Sequence, residues 1–124
     1  MTNIRKLLAT CTPNQKVRFA ILCAKQVCNE PGWNIWADAW LSGDNRSQSS
    51  AIKAGAWDEE SNHLPALLAA DAANYAVIMS KGQTRWSERS LEWTTAETAE
   101  YVEMQIPTIN LAALAAQAIE EEPA

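Results

Sequence analysis

The one histidine, His63, follows Asp58, Glu59 and Glu60, the stretch where groups able to hold a metal are densest. A transition-metal site draws on several nitrogen or sulfur ligands, and one imidazole beside carboxylates does not supply them. The spacing predicts a solvated loop there and no metal site. Nucleophilic chemistry also lacks its frame. No G-x-S-x-G elbow presents a serine, and the four glycines are scattered, so there is neither a P-loop nor a G-x-G-x-x-G turn. Cys11, Cys23 and Cys28 make an odd number, and the five-residue step between the last two fits neither a C-x-x-C redox pair nor a zinc site. They are expected to be small buried hydrophobes in a reducing compartment. No catalytic residue, metal ligand or cofactor is expected, and the chain reads as a non-enzyme.

Binding chemistry is better represented. Six of the 124 residues are tryptophan, and each can dominate a core or an interface. Trp33, Trp36 and Trp40 recur at i, i+3 and i+7, the stripe of one helix face, and are expected in the core. Trp57 stands beside Asp58, Glu59 and Glu60, where it covers a core edge or joins an acidic rim. Trp86 and Trp93 lie seven apart and are candidate exposed anchors for a partner, because tryptophan is enriched among interface hot spots.

Charge adds a direction. The net −5 conceals a split: residues 1–57 carry seven basic and three acidic residues, a balance of +4. Residues 58–124 carry three basic and twelve acidic residues, a balance of −9. From Ser90 onward there is no Lys or Arg. Direct nucleic-acid binding through this half is therefore not expected, since phosphate contacts need concentrated cations. Glu97, Glu100 and Glu103 recur every three residues, with Glu92 nearby, and form a candidate acidic row for a basic protein surface. Such a row acts more on encounter rate and specificity than on affinity.

The elements that must position these residues read as helices. Alanine contributes 22 residues and glycine four, a balance that favours helix over strand. The pattern predicts a short helix over 2–9 and a central one from the Thr12-Pro13-Asn14-Gln15 capping box to about Cys28. A third runs from Trp33 to Ser42 and ends at Gly43. A fourth, about Arg46 to Trp57, is capped by Asp44 and Asn45, and its Gly55 marks a close helix contact. A fifth spans Leu64 to Lys81 and ends at Gly82. Residues 83–93 read as a loop with a short helix. A new capping box, Thr94-Thr95-Ala96-Glu97, then opens a helix to about Gln105, and Asn110 caps a last one with Leu111, Leu114, Ala115, Ala118 and Ile119 inward. The expected fold is an all-α, compact single-domain bundle of six or seven short helices over residues 1–119, with 120–124 as a frayed acidic tail. No stretch approaches the roughly 18 apolar residues of a membrane span, and no secretory leader is evident, so the expected setting is the cytoplasm.

The string Trp36-Ala37-Asp38-Ala39-Trp40-Leu41-Ser42-Gly43-Asp44-Asn45-Arg46-Ser47 resembles a W-A-x-x-W-L-S-G-x-x-R-S turn of small Ala- and Trp-rich helical proteins of phages and bacteria, some labelled immunity proteins. Ile109-Asn110-Leu111-Ala112-Ala113-Leu114-Ala115 is similar to their ending. The likeness covers about a third of the chain and carries no functional residues across. It implies a mobile-element or defence setting and binding in place of catalysis. The expected function is thus a protein-binding inhibitor: a phage or mobile-element anti-defence protein, such as an anti-CRISPR acting through an acidic surface, or an immunity protein that neutralises a toxin. The expected partner is a protein with a basic surface. A structural or self-assembling module, with the +4 half of one copy on the −9 half of another, is the alternative. Within the +4 half, Arg46 is expected to reach Asp44 or Asp38.

Overall fold

Thr12 starts the organising helix. Its hydroxyl accepts from the Gln15 amide at 3.2 Å, and the Gln15 side chain accepts from the Thr12 amide at 2.9 Å, completing the expected capping box. The resulting α2 (Pro13–Lys25) is buried without interruption from Gln15 to Ala24. In the computed structural model, which describes residues 4–56, 64–82 and 85–122, this helix separates two hydrophobic cores. Val17, Ala20, Ile21 and Ala24 face one, while Phe19, Leu22 and Cys23 face the other. From Val17 to Ala24 the helix is apolar except for Arg18, and a stretch apolar nearly all round belongs in the interior.

The first core is built with α3 (Pro31–Ser42), α4 (Gln48–Ala56) and α5 (Leu64–Ser80). Trp33, Trp36, Ala37 and Trp40 all turn inward, as their spacing predicts. Trp33 donates its indole N–H to the Ala66 carbonyl at 2.9 Å, so the buried polar atom is satisfied. On α5, Ala66, Ala69, Ala70, Ala72, Ala73 and Ala76 are buried, and their small side chains let neighbouring helices approach. Gly55 lies against Leu67, Ala70 and Asp71 of that helix; a Cβ there would fall 3.4–3.7 Å from them, an ordinary contact. The second core adds α1 (Ile4–Leu8), the C-terminal half of α6 (Arg85–Gln105) and α7 (Leu111–Glu121). The protein is a compact all-α bundle, with no strand among the described residues. Among them, no helix is long and apolar enough to cross a membrane.

Several expectations change. Residues 85–93 are not a loop: α6 runs unbroken over 21 residues, about 31 Å at 1.5 Å per residue. Thr94 and Thr95 are buried in mid-helix, and the Thr98 hydroxyl donates to the Thr94 carbonyl at 2.8 Å, so no capping box forms there. The fourth helix is capped by Ser47, whose hydroxyl accepts from the Ser50 amide at 3.3 Å, and not by Asp44 or Asn45. Ile119, expected inward, faces outward. Of the cysteines expected to be buried, Cys23 and Cys28 are, whereas Cys11 is only half-buried. Burial pushes the Cys23 thiol far up, which makes it inert.

The acidic tail is not loose over residues 120–122. Glu122 is the partner of two arginines: Arg46 reaches it at 2.8 and 3.2 Å, and Arg18 at 3.1 and 3.2 Å. Arg18 is 7% exposed and also donates to the Leu41 carbonyl at 2.7 Å. Arg46 lies 3.9 Å over the Trp40 ring and donates to the Trp40 carbonyl at 2.9 Å. It therefore does not pair with Asp44 or Asp38; Lys25 takes Asp38 at 2.6 Å. The Gln15 amide closes the node by donating to the Glu122 carbonyl at 2.9 Å.

Burial alone would raise the Glu122 pKa, but hydrogen bonds and charge from Arg46 and Arg18 outweigh it and hold the carboxyl below its ordinary range. The folded chain therefore releases this proton more readily than the unfolded chain. Its stabilisation is complete above the ordinary glutamate range and is lost as pH falls through the lowered folded value. Removing one member of a mostly buried pair leaves the other uncompensated, at a cost of about 2–4 kcal/mol. Urea unfolding of Glu122→Gln at pH 7 should show a loss of that order. The gap to the wild type should close as pH drops below about 4.

Candidate functional site

Because α6 is one helix, Trp86 and Trp93 stand two turns apart on one face. That face borders α5. Tyr75 from α5 meets Trp86 edge-on, with ring centroids 5.5 Å apart and planes at 80°, a favoured aromatic geometry. Leu68, Asp71 and Tyr75 from α5 and Trp86, Arg89 and Trp93 from α6 line a groove of about 470 Å³. Trp86 is 66% exposed and Trp93 55%. These values separate them from Trp33, Trp36 and Trp40, all 8% exposed or less. Burial pushes the Asp71 carboxyl up, and among the described residues it carries no ion pair.

The acidic row is differently placed. Glu97 and Glu100 converge on Arg5 of α1, at 3.7 and 3.2 Å. Glu103 is exposed, with no ion pair among the described residues, and Glu92 is half-buried. The row is therefore partly spent inside the chain. Half-exposed pairs of this kind contribute at most about 1 kcal/mol. Trp57, Asp58, Glu59 and Glu60 lie outside the described residues, as does His63. Among the described residues no group of three or more His, Cys, Asp and Glu side chains is placed to hold a metal ion.

Sequence reasoning thus identified two of the groove's aromatics and missed Tyr75, Asp71 and Arg89. The helical spacing of Leu67, Leu68, Tyr75 and Met79 reads as an apolar side of α5, which assigns Tyr75 to the core. It is partly buried against the core, and its ring also meets Trp86 outside. The helical step from Trp86 to Arg89 and Trp93 could have placed all three on one side, had residues 85–93 been read as helix.

The fold and site together define a small all-α bundle with an aromatic groove on its outside. No family model, curated protein or solved structure matches the chain.

Surface and core tryptophans should separate in a stability assay. Trp86→Ala and Trp93→Ala should each cost less than about 1.5 kcal/mol, since little more than an edge contact is lost. Trp33→Ala should cost about 3–5 kcal/mol through the cavity and the lost hydrogen bond. Denaturant melts of the three variants test this ordering.

Proposed function

We propose that this chain is a non-enzymatic protein-binding inhibitor whose contact surface centres on Trp86 and Trp93. The single observation that carries the reading is the pair of exposed tryptophans on one face of α6, which line a groove with Tyr75, itself edge-on to Trp86. Large aromatic rings in water are costly to the free protein and contribute much once covered. The acidic character of the second half, including the exposed Glu103, supports a partner with a basic surface. The likeness to Ala- and Trp-rich phage and bacterial proteins supports an anti-defence or toxin-neutralising role for the inhibitor.

Charge-driven self-assembly, the alternative, would need the two oppositely charged halves free to meet between copies. Arg5, Arg18 and Arg46 of the first half instead engage Glu97, Glu100, Glu121 and Glu122 of the second within one copy. This favours binding of a different protein.

Affinity capture with the wild type and with Trp86→Ala/Trp93→Ala, followed by mass spectrometry, tests the reading. A protein held by the wild type should be reduced at least tenfold on the double variant, the order of one hot-spot residue. Light scattering on both forms should give a monomer. Equal recovery by the two forms, or a wild-type oligomer lost in high salt, would overturn the proposal.

A further inference from the structure

We propose that the α5–α6 groove receives a single arginine side chain of the partner, its guanidinium set among Trp86, Trp93 and Tyr75 and paired with Asp71. The proposal rests on the protein-binding reading above and specifies the chemistry of its central contact.

Two observations support a cation. The faces of aromatic rings carry negative potential, which attracts cations and repels anions. Three such rings line this groove. Asp71 lines it too, and its carboxylate is partly desolvated with no ion pair among the described residues. A bound cation would supply the missing charge. Arg89, the other charged group lining the groove, is exposed, so solvent screens it more than Asp71. Asp71 is the one acidic group among the residues lining the groove.

Shape selects arginine among cations. Trp86 and Trp93 are two turns apart, about 10 Å along the helix axis, so a flat group meets both rings once the exposed Arg89 side chain, which lies between them on the same side, turns out to solvent. Guanidinium is planar, stacks on aromatic faces, is less strongly hydrated than ammonium and can pair with a carboxylate through two parallel hydrogen bonds. A lysine ammonium offers neither the plane nor the fork.

The test follows the six indole N–H signals in nitrogen–proton correlation spectra, with Trp86 and Trp93 assigned by substitution to Phe. N-acetylarginine amide is titrated against its neutral planar counterpart, N-acetylcitrulline amide, and against N-acetyllysine amide. The arginine derivative should shift the Trp86 and Trp93 signals saturably, and the other two should bind about tenfold more weakly. Asp71→Asn should weaken the arginine derivative about five- to tenfold without loss of fold, since it removes a desolvated charge; Arg89→Gln should tighten it. Equal binding of arginine and citrulline derivatives, equal binding of the lysine derivative, or indifference to Asp71→Asn would overturn the assignment. If the arginine derivative moves neither indole while Trp86→Ala/Trp93→Ala still abolishes capture of the partner, the arginine site falls and the protein-binding reading stands.

Discussion

A guanidinium cannot sit in a protein interior without a counter-charge, and Arg18 sits at 7% exposure in the middle of the central helix. Its requirement is met by Glu122, more than a hundred residues later in the chain. Meeting it brings the end of α7 back onto α2. Glu122 also receives Arg46, which stacks on Trp40 and donates to its carbonyl. One carboxylate therefore holds the last helix, the α3–α4 junction and the central helix together. The Gln15 side-chain amide, whose oxygen accepts from Thr12 in the α2 capping box, donates through its nitrogen to the Glu122 carbonyl at the same point. A helix start and a chain end thus stabilise each other.

This node explains why α2 can be buried on both sides. Gln15 and Arg18, two of the three buried polar residues of α2, find partners at this node, while its apolar residues divide between the two cores. α5 and α6 pack along it, and their outer edges leave the groove that carries Trp86 and Trp93. The aromatic face is therefore built on two long helices and not on a loop. Rigid support of this kind lowers the ordering cost of binding. The charge asymmetry of the sequence serves first as internal mortar, because three of the basic residues in the first half pair with carboxylates of the second.

Much of the fold was legible from local signals. Spacing placed Trp33, Trp36 and Trp40 in the core, and Thr12 to Gln15 placed the start of α2. Gly43 and Gly82 close their helices with φ of +87° and +95°, as glycine after a helical run suggests. The failure lay in residues 83–97. Thr94, Thr95 and Glu97 have the chemistry of a helix start, but buried threonines also pack as small side chains within a helix. Ser87 and Thr95 even leave their hydroxyls without a hydrogen-bond partner among the described residues. Packing against α2 and α5 outweighed a local preference worth about 1 kcal/mol. The inward run of Ser87, Leu91, Thr95, Thr98 and Val102 has helical period, yet its polar members hid it.

What the sequence determined by itself was the helical class and those ends that carry a strong local signal, the Thr12–Gln15 start of α2 and the Gly43 and Gly82 stops, because capping and glycine termination act within a few residues of chain. It also set the supply of aromatic rings and the imbalance of charge. Only the tertiary structure decided that Trp86 and Trp93 face water on one side of a single helix beside Tyr75, since that depends on which neighbours α6 meets. It alone decided that Arg46 belongs to Glu122 and not to Asp38 or Asp44, and that Glu97 and Glu100 turn to Arg5. Pairing between charges is a matter of distance in space, and residues 76 and 95 positions apart become neighbours only when the helices have packed.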